Sequence, residues 1–260
     1  MTRSYLVTGA ASGIGRATRD LLLERGHRVI GVDLRNADIE VDLTTASGRD
    51  DVIGRATELS GGVLDGVVAV AGLSAPIAAT VAVNYYGAVA TLEGLRPLLA
   101  KSDAPRAATV ASMTSIGPFD ERLLNAIESG TEAEALGRGK ELEDSGPEIG
   151  YLNYPTSKRA LARWLRRQAP TEAWAGAGIP LNAIAPGIVL TPMTEPLMAT
   201  PEGREQVLQS VPMPLNGPMG PAAPAELLVW LTSEVNTHVT GQVVFIDGGF
   251  DAVTRGDSTW

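Results

Sequence analysis

The chain contains no cysteine. Disulfides, thiolate nucleophiles and cysteine-ligated metals are therefore excluded. Histidine is almost missing too. His27 and His238 are the only two, far apart and without HExxH-like spacing, which argues against zinc and for no metal site. Nor is there an excess of positive charge. The formal net charge of −9 is opposite to the basic footprint of a general nucleic-acid binder and unfavourable beside an anionic membrane. The opening "MTRSYLVTGA" lacks the apolar run of a signal peptide. Together with the missing cysteine, this fits a reducing, cytoplasmic setting. One stretch, residues 66–92, carries no charged side chain, but Gly72, Pro76 and Asn84 interrupt it. A buried parallel strand followed by a buried helix accounts for it better than a membrane span does.

What the chain does contain is ordinary for a globular protein: 44% apolar and 20% charged residues over 260 positions. That length suits one large α/β domain over residues 1–260. Short apolar runs alternate with helical patterns. "SYLVTG", "RVIGVDL", "LDGVVAVAG", "RAATVAS", "IPLNAIAP" and "GQVVFIDGG" read as strands. Between them lie helical stretches, including "GRATRDLLLERG", residues 49–59, the long "VAVNYYGAVATLEGLRPLLA", one beginning near Tyr154, and residues 223–232. Strands separated by crossover helices predict a parallel, doubly wound α/β sheet with helices on both faces. Pro170 is expected to kink or end the helix that starts near Tyr154.

Two segments break this rhythm. Residues 117–150 hold nine acidic side chains to three basic ones, with helical periodicity punctuated by glycines. They read either as a lid or interaction surface, or as a solvated acidic excursion. Residues 191–220 are rich in proline and methionine and form a candidate substrate loop. In it Met193, Leu197, Met198 and Met213 can build an adaptable apolar wall, or serve as core contacts of a lid helix.

"TGAASGIG", Thr8 to Gly15, follows the first strand and opens the first helix. Glycines there permit a tight turn and close approach to phosphate, and the helix start supplies amide donors. Asp33 ends the next strand about 20 residues on, where a carboxylate accepts from ribose hydroxyls and repels a 2′-phosphate. NAD is therefore favoured over NADP. Asp42 is placed either to accept from an adenine amino group or to sit as a carboxylate at a helix start. Far downstream, Tyr154 and Lys158 share one helix face at a spacing of four; Tyr151 has Pro155 at that offset.

The TGxxxGxG spacing and the Tyr154-xxx-Lys158 pair resemble the short-chain dehydrogenase/reductase family. "VNYYG" around Asn84, "VAS" ending at Ser112, "PGIVLTP" from Pro186 and the terminal "GQVVFIDGG" extend the resemblance over nearly the whole chain. It implies a single-domain Rossmann fold with a mainly seven-stranded parallel sheet. Tyr154 would be the general acid/base, with Lys158 favouring its phenolate and holding the nicotinamide ribose. Ser112 would polarise the substrate carbonyl, and Asn84 would hold a water linking Lys158 to solvent. The cofactor contacts implied are Gly9, Ser12, Gly13, Ile14, Gly15, Asp33, Asp42, Leu43, Ala71, Gly72, Tyr154, Lys158, Pro186, Gly187, Ile188 by its backbone, and Thr191. Tyr151 would line the pocket edge.

The chain also departs from the family pattern. "AVAG" at Ala69 to Gly72 lacks the usual asparagines, and Ala111-Ser112 replaces a pair of serines, so that Thr114 or Ser115 could take the serine's place. The gap from Ser112 to Tyr154 is long. That long insertion, with "GHRVIGVDLR" and "IDGGFDAV", is similar to the bacterial 3α-hydroxysteroid dehydrogenase/carbonyl reductase branch. The expectation is an NAD-dependent enzyme interconverting a secondary alcohol and a ketone on an apolar, cyclic small molecule. The alternatives are a general reductase of small or aromatic carbonyls, a nucleotide sensor without catalysis, and a scaffold acting through the insertion. A homodimer through the C-terminal strand is expected, anchored by Trp260, with a tetramer as the other option.

Overall fold

Alternation along short buried strands sorts the core into two layers. In β1 (Ser4–Thr8), Leu6 points to one face of the sheet while Tyr5 and Val7 point to the other. The computed structural model describes residues 2–258. After β1 come α1 (Gly13–Glu24), β2 (Arg28–Asp33), β3 (Ile39–Glu40), α2 (Ala46–Ser60) and β4 (Gly66–Ala69). Next, α3 (Ala79–Val81) runs through a π-helical turn (Ala82–Gly87) into α4 (Ala88–Leu99), and β5 (Arg106–Val110) follows. The remainder comprises α5 (Glu121–Ser129), α6 (Glu132–Asp144), α7 (Pro147–Gly150), α8 (Asn153–Gln168), β6 (Leu181–Pro186), α9 (Pro201–Ser210), α10 (Ala222–Leu231), β7 (Val243–Ile246) and α11 (Phe250–Arg255).

The seven strands pair in parallel in the order β3-β2-β1-β4-β5-β6-β7. The doubly wound sheet expected from the sequence is therefore present. The order reverses between β1 and β4, which opens a crevice at their C-terminal ends. One core layer lies under α2, α4 and α8, with Leu92, Leu95, Leu161 and Leu165 fully buried. The other lies under α1 and α10, around Leu22, Ile184 and Leu228. β3 has no counterpart in the hydrophobic pattern. It is two residues long and holds the edge by pairing Val32 with Ile39 and Asp33 with Glu40.

Helix α8 stops at Gln168, two residues before Pro170, as expected. Beyond the stop, Trp174 is fully buried edge-on against Trp164, with ring centres 6.4 Å apart. Residues 117–150 are not a solvated excursion. They fold into α5, α6 and α7, and bury Leu123, Leu124, Ile127, Ala135 and Leu142 in the layer beneath α8. The Thr131 hydroxyl and the Glu134 carboxylate close a reciprocal capping box on α6, a device contributing about 1 kcal/mol. β7 lies at the sheet edge; Trp260 lies outside the described residues.

Candidate active site

The turn after β1 is built around glycines that nothing larger can replace. A Cβ on Gly15 would lie 2.1 Å from the Gly9 carbonyl oxygen, so α1 can start that close to β1 only with glycine there. Gly13 sits at φ +53°, and a Cβ on it would meet the Thr191 methyl at 3.3 Å. Ser12 occupies the N-cap of α1 in extended conformation, yet its side chain makes no capping hydrogen bond, and the first turn holds no acidic residue. The first amides of a 12-residue helix thus face the crevice without a side-chain acceptor. That arrangement fits an anionic diphosphate. Thr8 and Thr109 supply what the asparagine-free "AVAG" lacks. The Thr8 hydroxyl accepts from the amides of Val70 and Ala71, both at 3.0 Å, and the Thr109 hydroxyl donates to the Ala69 carbonyl at 2.8 Å.

Asp33 stands at the end of β2 with one carboxylate oxygen accepting from the Ala11 amide at 2.9 Å, beside the glycine turn. The position suits a ribose. Asp42 is engaged locally: one of its oxygens accepts from both the amide and the hydroxyl of Thr44. Leu43 is buried in the core against Gly87.

Ser112 follows β5 and is buried. Its oxygen accepts from the Thr114 amide at 3.1 Å and from the Thr114 hydroxyl at 3.0 Å. With both lone pairs engaged, its own O–H is left to donate outward. Thr114 thus orients the Ser112 hydroxyl, and of the two Ser112 lines the crevice described below. Tyr154, in the first turn of α8, faces Ser112, and its ring centre lies 5.9 Å from that of Tyr151. Burial, reinforced by Tyr151, pushes the Tyr154 phenol up to about 12 despite the hydrogen-bonding contact with Ser112. Lys158, one turn on, is buried and donates to the Val110 carbonyl at 2.7 Å. Burial pulls its ammonium down to about 8. The expectation was a phenol eased toward its anion by Lys158. In the structure burial is the largest influence on the phenol, and it acts the other way.

Asn84 sits in the π-helical turn, fully buried, a local geometry common at functional sites. Its carboxamide brackets Leu73, accepting from the amide at 2.8 Å and donating to the carbonyl at 2.9 Å, and it also donates to the Ser157 hydroxyl at 3.1 Å. The side chain is a brace for the loop after β4. Gly72 leaves the gap between this brace and Lys158: a Cβ there would lie 2.7 Å from the Asn84 Oδ1 and 3.4 Å from the Lys158 Nζ.

These groups meet in one crevice of about 160 Å³. It is lined by Gly9, Ser12, Gly13, Ile14, Gly15, Ala71, Gly72, Ser112, Tyr154, Lys158, Pro186, Gly187 and Thr191, all expected from the sequence. Asn84, Asp33, Asp42, Leu43 and Ile188 do not line it. The Ile188 amide donates to the Met213 sulfur at 3.3 Å, and its carbonyl accepts from Met219 at 3.0 Å. Of the four proposed wall residues, Met193 lines the crevice, whereas Met213 is buried behind it. Met198 borders shallower depressions, and the side chain of Leu197 lies outside the described residues. Val70, Leu73, Val110, Ala111 and Val189 line the crevice without having been named from the sequence, and Pro192 and Thr194 do so from the candidate substrate loop. The one legible signal of those five is position, at or shortly beyond the C-terminal end of a strand. Lys158 is the only charged residue in the lining among the described residues. No helix among them is long and apolar enough to cross a membrane, and no cluster of His, Asp or Glu among them is arranged to hold a metal ion.

A short chain dehydrogenase family model matches residues 3–122, and a model described as enoyl-(acyl carrier protein) reductase matches residues 145–251. The chain is 36% identical to the 3-alpha-hydroxysteroid dehydrogenase/carbonyl reductase of Comamonas testosteroni, over 96% of this chain and 97% of that protein. It is 29% identical to the 2-(R)-hydroxypropyl-CoM dehydrogenase of Xanthobacter autotrophicus, over 97% of this chain and all of that one. Among solved structures, a 3-alpha-hydroxysteroid dehydrogenase from a Pseudomonas species complexed with NADH superposes with a TM-score of 0.87 at 37% identity, covering 97% of this chain and 98% of the other. Levodione reductase superposes with a TM-score of 0.75 at 23% identity, covering 96% and 98%, a likeness of fold alone.

Proposed function

The chain belongs to the short-chain dehydrogenase family of oxidoreductases, and within it we propose an NAD(H)-dependent enzyme that interconverts a secondary alcohol and a ketone on an uncharged, apolar, cyclic substrate such as a 3-hydroxysteroid. The observation that carries this reading is the convergence of Ser112, Tyr154 and Lys158 on the crevice that the glycine turn opens. A bound nicotinamide supplies or accepts the hydride. The protein handles the proton. In the reducing direction, the Ser112 hydroxyl donates to the substrate oxygen, and the Tyr154 phenol gives up its proton to it. With the phenol pushed up to about 12, Tyr154 is fully protonated at neutral pH, the form an acid must have. Oxidation needs the opposite form. There the positive charge of Lys158, mostly retained at neutral pH, favours loss of the phenolic proton.

Asp33 supports NAD over NADP. The NADH complex of the similar Pseudomonas enzyme supports the same choice. The lining supports an apolar substrate: among the described residues Lys158 is its one charged side chain. A general reductase of small carbonyls would use the same proton-handling groups. The test is a panel of steroid, cyclic and small aromatic ketones and alcohols with both cofactors, followed by nicotinamide absorbance. Turnover only with NADP, or no turnover of any cyclic substrate, would overturn the proposal.

A further inference from the structure

Tyr154 stands on a helical turn that does not cap itself. No side chain caps the start of α8, and none caps α7 just before it. Two neighbours of Tyr154, Asn153 and Thr156, hold the turn instead, and both are fully buried. Residues three apart share one helix face. At about 100° per residue, that face lies nearly opposite the one shared by Tyr154 and Lys158. The Asn153 Nδ2 donates to the Gly139 carbonyl of α6 at 3.0 Å. The Thr156 hydroxyl accepts from the Asp120 amide at 3.0 Å. Asp120 is itself fixed: its carboxylate accepts from the Leu123 amide at 2.7 Å, capping α5, and from Arg138 of α6 at 3.0 and 2.7 Å. α6 approaches so closely that a Cβ on Gly139 would lie 2.9 Å from the Asn153 Oδ1 and 3.3 Å from the Ala78 Cβ. Both anchors of the Tyr154 turn therefore stand on the open end of the α5–α6 hairpin.

We propose that Asn153 and Thr156 are positioning residues for proton transfer by Tyr154, which makes the insertion part of what aims the phenol. The inference rests on the function proposed above. Neither residue lines the crevice, so both act through the turn that carries Tyr154 between them. Ser112 comes from a different element, just after β5. The two hydroxyls must address one substrate oxygen, so the turn has to keep its place relative to that strand end. A misplacement of about 1 Å can cost about a hundredfold in rate. Loss of an anchor leaves the substrate and cofactor contacts of the crevice in place, so the effect falls on kcat and spares KM.

The test uses the full chain with NADH and a 3-oxo steroid. Thr156→Val keeps the side-chain shape but cannot accept from Asp120; it should lower kcat about tenfold with KM within about twofold. Thr156→Ser, which keeps the hydroxyl, should hold the parent rate. Asn153→Ala should lower kcat by a similar factor. NADH titration should still find every chain binding, which shows that the loss is not unfolded protein. The decisive comparison is made in Tyr154→Phe. There Asn153→Ala should cost less than about twofold, because a residue acting through the phenol has nothing left to aim. A full loss on that background, or a loss that Thr156→Ser shares, would show a general disturbance of the fold. An unchanged kcat in the parent background would show that the anchors serve stability alone. Each of these results overturns the inference while leaving the proposed function standing. Absence of turnover by the unmodified protein would instead overturn the proposed function, and this inference with it.

Discussion

Lys158 offers the sharpest quantitative test, because burying its charge has a cost that pH removes. It is 5% exposed and donates to a neutral carbonyl, and its pKa falls from 10.5 to about 8. A base with a lowered folded-state pKa makes the unfolded chain bind more protons between those two values. Stability then rises with pH through that window, and the full cost is present below it. At about 1.4 kcal/mol per pH unit, the rise from pH 7 to pH 9.5 amounts to about 2 kcal/mol. Lys158→Met should abolish it. The comparison at neutral pH alone is ambiguous, since the variant escapes the buried charge but strands the Val110 carbonyl, a loss of about 1–3 kcal/mol. The difference between the two pH values cancels that loss. Urea unfolding of both proteins without cofactor at pH 7 and pH 9.5 should therefore show the parent gaining about 2 kcal/mol relative to the variant. Parallel pH profiles would refute the reasoning: the ammonium would then be solvated or paired, and its role beside Tyr154 would need another basis.

Tyr154→Phe should lower turnover at least about a hundredfold with cofactor affinity nearly unchanged, while Tyr151→Phe keeps most activity; steady-state kinetics and cofactor titration check both. Asp33→Ala should narrow an NAD-over-NADP preference expected to be at least about tenfold, measured as the ratio of the two dissociation constants. Light scattering should report a dimer, weakened by removing residues 253–260; a tetramer built on α8 would contradict this.

The strands were legible because parallel strands buried on both faces leave near-continuous apolar runs such as "VVAV", and the glycine turn because backbone geometry there tolerates nothing larger. The Tyr154–Lys158 pair was legible because a helix brings residues four apart together. β3 was not, since two residues show no period. The π-helical turn at Asn84 was not, since its sequence reads as ordinary helix. For Met213 the sequence left wall and core contact both open, for a related reason. Proline and methionine density marks an irregular segment but not which side chain turns inward, and that is decided by Gly187 and Ile188 packing on its sulfur from another part of the chain. The acidity of Tyr154 and Lys158 was equally out of reach, because burial is set by distant segments and not by neighbours in sequence.

The charges of the insertion act locally as well as through their sum. Taken as a net field, nine acidic side chains against three basic ones would set two copies repelling each other across a two-fold axis. In the structure Glu132 is held by Arg49 of α2 in a paired contact at 2.9 and 2.8 Å, Asp120 by Arg138 at 3.0 and 2.7 Å, and Glu128 by Arg163 and Arg167 of α8 at 3.1 and 2.8 Å. Much of the charge is spent on fastening α5 and α6 down. Glu143 accepts from the Ala78 amide at 2.9 Å, ahead of the Asn84 turn, and Asn153 beside Tyr154 donates to the Gly139 carbonyl at 3.0 Å. The hairpin thus grips both sides of the candidate site, across the stretch between the two family matches. We propose that volume, more than charge, disfavours assembly through α8: α5 already packs against that helix and buries Leu123 and Ile127 beneath it. High salt would relieve a repulsion and leave an obstruction in place, so a dimer that stays a dimer as ionic strength rises would favour the steric account over the electrostatic one.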